Sequence, residues 1–397
     1  VNIITAHPMG AIGPALLLVA IGVPSGCTDG STEAIRAEVT DSAGISIVRS
    51  VSEDLPLRLE SEPVLALGGK DTPEESFYSI AASTVATDGD GNLYVLEWDA
   101  YRVQVFDSTG THQRTLGRQG GGPGELQYPF GLAVAAVGRV WVVDVGKRAL
   151  VGWTRDGDVL PQEPLPVAYS GGRVEWTPSG LFMPLRDSLA HHLALIREAG
   201  EPQVLASLPL AETRSVELTS CGMFFGQREP IFSPSLTWTA AGNTVVVARN
   251  PDYVLDVYED GRLVRSIRRD LPPRPASEEL ARASLGEGWR VGIGSQGREV
   301  VCDPAEVVEQ QGFAPYLPMV GALAYAPDAT LWVQRYTVAS DPSPIDLFDP
   351  DGRYIGTLPE GSPFPIGFLP DGRILVSETD ELDVQRLVVR TVQLEQP

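Results

Sequence analysis

Residues 114–131 read RTLGRQGGGPGELQYPFG, with four glycines and a proline between Arg118 and Glu125. A phosphate loop sets its glycine nest ahead of a lysine and a hydroxyl, in the pattern G-x-x-x-x-G-K-[ST]. Here Pro123, Gly124 and Glu125 follow, and a carboxylate at 125 would repel a phosphate. Gly120 and Gly122 do not complete G-x-G-x-x-G either, so the stretch is read as a chain connection. Residues 88–92, DGDGN, look like half of a calcium loop. An EF-hand also needs an acid at position twelve and a flanking helix, whereas the strand-like LYVLEW follows directly. Of the four histidines, His7 lies in the N-terminal apolar region and His112 falls in a turn. His191 and His192 are adjacent and should point to opposite faces of a strand, so a three-histidine zinc site is not expected. No G-x-S-x-G elbow occurs, and no Ser/His/Asp set is legible. The expectation is no catalytic set, no metal and no cofactor.

The elements that must position any site come from a repeat. Segments 83–117, 131–160, 171–205, 235–267, 321–358 and 365–394 share one plan: an apolar strand, a tight turn, a β-branched strand ending in a charge, a third strand and a Gly turn. Alternating apolar runs bounded by Gly, Asp and Asn are antiparallel hairpins. Repeats of about 40 residues with four strands are propeller blades. The expected fold is therefore all-β, a six-bladed β-propeller with short helical insertions. The sixth copy stops after its third strand. Residues 63–84 parallel residues 112–134, so residues 63–68 should supply the missing outer strand and close the ring, removing open sheet edges. Residues 44–51, GISIVRSV, add one further strand whose placement is open. The second strands end in Glu97, Asp144, Arg186 (with a one-residue offset), Arg249, Arg335 and Glu378. Circular repetition would set these six around the channel mouth. They form either a belt of ion pairs between neighbouring blades or a mouth for a small polar ligand or a partner's loop. The mixture of arginines with acids argues against a lactonase-like metal site. Trp141, Trp153, Trp176, Trp238 and Trp332 are expected to pack between blades.

Two insertions break the rhythm, at residues 210–234 and 272–320. The first is read as a loop carrying Cys221. The second holds helix starts at Ser277 and at Asp303, where an N-cap acid precedes a proline and a glutamate. The net charge of −22 over 397 residues argues against nucleic acid as a partner. Residues 10–23, GAIGPALLLVAIGV, have the length of a secretory h-region rather than a membrane span. PSGC then ends at Cys27, as in a lipobox, although Pro24 replaces the usual leucine and no Lys or Arg precedes the run. Residues 1–27 are thus read as a signal peptide with lipidation at Cys27, 28–62 as tether and leading strand, and 63–397 as the propeller. In an oxidising compartment the remaining Cys221 and Cys302 can pair; two separate buried thiols are the alternative.

With DSAGISIVRS (41–50), EPVLALGG (62–69), GRQGGGPGEL (117–126) and the closing 331–376 in view, the chain resembles the six-bladed NHL-like propeller lipoproteins exported by bacteria, especially those of Gemmatimonadota. The resemblance spans roughly residues 40–394 and implies fold and export, but no reaction. The leading expectation is a non-catalytic, lipid-anchored extracytoplasmic scaffold, periplasmic or at the cell surface. Its partner would be an envelope protein or an integral membrane complex of respiratory, photosynthetic or transport type. The alternative is a propeller hydrolase or lyase acting on a small exported substrate.

Overall fold

The computed structural model describes residues 37–51, 53–69, 77, 80–165, 169–197, 201–293, 298–338, 343–379 and 384–395; Cys27 and the predicted signal lie outside these. The chain begins with β1 (Glu38–Ser42), β2 (Ile45–Ser50) and β3 (Arg58–Gly68). Blade 1 is β4 (Val85–Thr87), β5 (Leu93–Glu97), β6 (Arg102–Phe106) and β7 (His112–Leu116). Blade 2 is β8 (Pro129–Val134), β9 (Val140–Asp144), β10 (Ala149–Trp153) and β11 (Glu163–Pro164). Blade 3 is β12 (Glu175–Thr177), β13 (Gly180–Arg186), β14 (Ala190–Ile196) and β15 (Gln203–Pro209). The hairpin β16 (Arg214–Leu218) and β17 (Met223–Arg228) comes next. Blade 4 is β18 (Leu236–Ala241), β19 (Thr244–Arg249), β20 (Val254–Glu259) and β21 (Arg262–Arg269). It is followed by α1 (Glu278–Leu285), β22 (Trp289–Ile293), β23 (Arg298–Cys302) and α2 (Pro304–Gln311). Blade 5 is β24 (Val320–Tyr325), β25 (Leu331–Arg335), β26 (Ile345–Phe348) and β27 (Tyr354–Leu358). Blade 6 is β28 (Gly367–Phe368), β29 (Ile374–Thr379), β30 (Gln385–Glu395) and, from the other end of the chain, β3.

The fold is the expected six-bladed propeller, mostly strands with two short helices. Central strands are β-branched and apolar on both faces because each blade is covered on both sides. Leu93, Val95, Val140, Val142, Val246 and Val333 are all fully buried. Six apolar clusters join consecutive blades around the ring, the last joining blade 6 to blade 1 through Leu67, Leu375, Leu93 and Phe106. Trp141, Trp153, Trp238 and Trp332 are buried in these seams, and Trp176 stacks on Trp141. Gly152 is required by one of them. A Cβ there would run into the Trp141 ring lying across β10.

The N-terminal segment does more than close the ring. β2 pairs in parallel with β21 and β1 folds back on β2, extending blade 4 to six strands. The chain then crosses blade 5, where Leu57 N–H donates to Thr357 O (2.9 Å) and Thr357 N–H donates to Leu55 O (2.7 Å). It finally pairs with β30 along Arg58–Gly68, five residues longer than the predicted closing strand. One continuous strap therefore forms the outer edge of blades 4, 5 and 6.

Both insertions connect a fourth strand to the next first strand, so they leave the same face, here the connection face. Residues 214–228 form a hairpin rather than the expected loop. Ser277 and Asp303 cap α1 and α2 as the sequence indicates, accepting from Leu280 N–H and Ala305 N–H.

Candidate functional site

The six charges stand at the ends of the second strands, although β29 runs one residue past Glu378. Their partners are not in neighbouring blades. Glu97 accepts from Arg102 and from Gln104 Nε2 (3.0 Å), both on the next strand of blade 1. Asp144 is fully buried and accepts three backbone N–H groups, from Gln127 (2.6 Å), Tyr128 (3.0 Å) and Lys147 (3.0 Å). Arg249 pairs with Asp256, and Glu378 with Arg386 (3.1 Å) and Arg390 (2.6 Å). Arg186 lies 3.6 Å from Glu229 of the first insertion. Hairpin register explains this pattern. For Glu97, Arg249, Arg335 and Glu378 the residue ending the second strand sits opposite or diagonal to the third, which carries its counter-charge. Most of the column is thus spent on braces within blades, while the first strands of all six blades line the channel at its other end.

Arg335 belongs to a larger buried network. Arg269 and Asp346, both with fully buried side chains, pair at 3.0 Å. Asp346 also accepts from Arg335 Nε (2.9 Å), Tyr253 OH (2.7 Å) and Thr357 Oγ1 (2.6 Å). The Arg269 guanidinium lies 3.9 Å over the Tyr354 ring and donates to the Glu53 carbonyl of the strap (3.0 Å). Arg335 and Arg269 both reach Asp54 of the strap at 3.0 Å. Burial raises the Asp54 carboxyl, but the two guanidiniums outweigh it and hold it below the usual range. This knot fastens the strap to blades 4 and 5.

The glycine-rich stretch supplies its own anion. Glu125 folds back to accept from Gly122 N–H (2.7 Å) and Arg118 Nε (2.9 Å), which lowers its pKa. A Cβ at Gly120 would collide with that carboxylate. The loop then delivers Tyr128 and Phe130 to the connection face, exposed and stacked at 6.3 Å. DGDGN closes on itself similarly: buried Asp88 accepts from Asp90 N–H, from the Asn92 backbone and side chain, and from Tyr94 OH.

The central channel opens on the opposite face as a cavity of about 690 Å³ lined by the first strands of all six blades. Its wall is mainly small and apolar, with Ala86, Ala136, Ala240 and Ala324 among the lining residues. Its charged lining residues are Asp88, Arg173 and Glu175; Arg173 pairs with Glu175 (3.0 Å) and reaches Thr239 of blade 4. Among the described residues no cluster of three or more His, Cys, Asp or Glu side chains is arranged to hold a metal ion.

The two insertions meet. A disulfide joins Cys221 to Cys302, with Cα atoms 4.9 Å apart. Val216, Leu218, Cys302 and Val307 bury a small core between them. Glu306 does not turn back to its own N-cap. It accepts from Thr219 N–H (2.7 Å) and Ser220 N–H (2.9 Å), and the Ser220 and Thr219 groups draw its pKa down to about 2. The module presents Phe224, Val301 and Tyr316 to solvent.

One arrangement was not legible in the sequence. His191 and His192 do point to opposite faces, His191 to Glu229 (2.8 Å). His192, however, lies between Ser207 Oγ (2.8 Å) and Asp187 Oδ2 (3.0 Å), so a Ser/His/Asp set does exist. Its members come from a turn and two paired strands, and only the register of β14 against β15 brings Ser207 opposite His192.

No family model matches the chain, and no curated protein matches it by sequence. Among solved structures it is similar to a Bacteroides fragilis protein described as exported, with TM-score 0.52 and 14% identity over 87% of this chain and 99% of that one. The shared fold is a propeller. A DUF4221-family member from Bacteroides vulgatus gives 0.48 and 10% identity over 86% and 99%. A virginiamycin B lyase from Staphylococcus aureus gives 0.39 and 14% over 84% and 99%. At these identities the likeness concerns the fold alone.

Proposed function

We propose that the protein is an exported, lipid-tethered propeller of the NHL-like type that docks an envelope protein, as an extrinsic subunit of an integral membrane complex, and performs no chemistry in its channel. The observation that carries this reading is the fusion of both insertions into one disulfide-bridged module with exposed Phe224 and Tyr316 on the connection face. Long insertions on one face of a repeat fold are where partner contacts concentrate. A disulfide between distant insertions suits an oxidising compartment outside the cytoplasm. The ring charges support the same reading, because their bonding capacity is spent on bracing blades. Native gels of mild-detergent membrane extracts, with mass spectrometry, test it. Wild type should migrate in a larger assembly, Phe224→Asp with Tyr316→Asp should migrate free, and Cys27→Ser should leave the membrane. Migration of wild type only as a free monomer would sink the proposal. A stoichiometric divalent ion lost on mutating Glu97, Asp144 or Glu378 would favour the hydrolase or lyase alternative instead.

A further inference from the structure

We propose that Ser207, His192 and Asp187 form a nucleophile, base and orienting acid that give the outer rim of blade 3 serine-dependent esterase activity toward short acyl esters. The site lies on β14, β15 and the turn before them, outside the channel and the insertion module, so it stands or falls apart from the docking role.

The geometry supplies each part. Ser207 Oγ is 2.8 Å from His192 Nδ1, within reach for proton transfer in the ground state. His192 Nε2 lies 3.0 Å from Asp187 Oδ2, so one ring nitrogen accepts from serine while the other donates to a carboxylate. Asp187 is itself anchored. Its Oδ1 accepts from Leu189 N–H (2.7 Å) and Ala190 N–H (2.8 Å). The Leu189 N–H, then His192 and the Ala190 N–H, draw its pKa down to about 2, which keeps it ionised beside the imidazole.

Strand register adds an oxyanion donor. Leu210 N–H bonds Leu189 C=O at 2.9 Å, which marks 189 and 210 as a hydrogen-bonded pair. Alternation along the ladder makes His192 and Ser207 a non-hydrogen-bonded pair, in which side chains approach most closely. The Ser207 N–H then points away from β14. Since β15 is the outermost strand of its sheet, that N–H faces the open edge, beside the nucleophile it would serve. One exposed apolar side chain lies on the strand face of the serine: Val204, 50% exposed, which the register sets opposite Ala194. It offers an acyl chain of a few carbons an apolar surface to lie against.

In the reaction Ser207 Oγ attacks the ester carbonyl carbon while its proton passes to His192 Nδ1. The tetrahedral adduct collapses, the bond to the alcohol oxygen breaks, and His192 returns the proton to the leaving alkoxide. Water then attacks the acyl-serine by the same route, releasing the acid and restoring Ser207.

The full chain is treated with a fluorophosphonate probe and the label is mapped by mass spectrometry, alongside hydrolysis of p-nitrophenyl acetate and butyrate. The expected result is a label on Ser207 and hydrolysis that falls at least tenfold in both Ser207→Ala and His192→Gln at unchanged melting temperature. Asp187→Asn should lower kcat on the order of 10⁴-fold, with KM unchanged, by disturbing the imidazole tautomer. Wild type without label at Ser207 overturns the proposal without reference to any variant. So does a hydrolysis rate that Ser207→Ala leaves intact, which would reduce the set to a cross-strand hydrogen bond.

Discussion

Asp346 gathers polar bonds from two arginines, a tyrosine and a threonine, and its chemistry shows how one strand-end charge, Arg335, is spent on structure. It is fully buried with two arginines, a tyrosine and a threonine directed at its two oxygens. Such a group is tolerated only because each lone pair is used. Asp346→Ala would leave Arg269, whose side chain is wholly buried, beside no strand-borne counter-charge. The expected cost is about 3–5 kcal/mol, the range for breaking a buried ion pair from one side. Urea unfolding should show it as a lower midpoint, and a change under 1 kcal/mol would contradict the network's role. The charges at the strand ends were legible because the repeat recurs. Their partners were not, because Glu97 meets Arg102, and Arg335 meets Asp346, through hairpin register, and Asp54 reaches Arg335 from 281 residues away in sequence. The same limit hid Ser207 opposite His192.

At the level of elements, the insertion module is held by two bonds that respond to different conditions. The disulfide spans 81 residues of sequence. In the chain-entropy model closure of such a loop is worth about 4.5 kcal/mol to whatever folds within it. Cys221→Ser with Cys302→Ser should therefore raise amide hydrogen exchange in β16, β17, β22, β23 and α2, while blades 1 and 2 stay protected. Uniform loss of protection would show that the module and ring unfold as one. The Glu306 contacts to Thr219 and Ser220 add a dependence on acid. Its folded pKa of about 2 lies below the ordinary 4.5 of a glutamate, so its contribution is complete above 4.5 and is lost as pH falls toward 2. Trp289, packed on Phe225 inside this module, reports on it. Between pH 5 and 2 the wild-type near-UV signal should fall more than that of Glu306→Gln, and equal curves would exclude the lock. The helix caps at Ser277 and Asp303 were readable from local chemistry. The hairpin at 214–228 was not, since MFFGQR with its partner strand carries no strong turn signature and gains its apolar contacts from the other insertion.

For the whole molecule, a propeller must solve the problem of closing a ring of sheets that are each nearly complete alone. Here the closing strand is the last part of a longer strap, and the two parts have separable effects. Residues 58–68 pair with β30 and place Leu67 in the seam between blades 6 and 1. Residues 45–57 instead cover the outer edges of blades 4 and 5 and carry the Asp54 and Glu53 groups that meet Arg269 and Arg335. The missing sixth-blade strand was visible as an incomplete repeat, whereas the path of the strap across blades 4 and 5 was not, because it adds strands to blades that the repeat already counts as full. Two truncations distinguish the roles. Removing residues up to 57 should leave a closed ring that melts at lower temperature, with loss of exchange protection concentrated in β21 and β27. Removing residues up to 68 should open the ring, expose the edge of β30 as a template for pairing, and give a chain that elutes as soluble aggregate rather than monomer. The order is the decisive reading. If the shorter truncation already opens the ring, the strap and not β3 closes it; if the longer one stays monomeric and cooperative, neither does, and the apolar seam between blades 6 and 1 is sufficient without a covering strand.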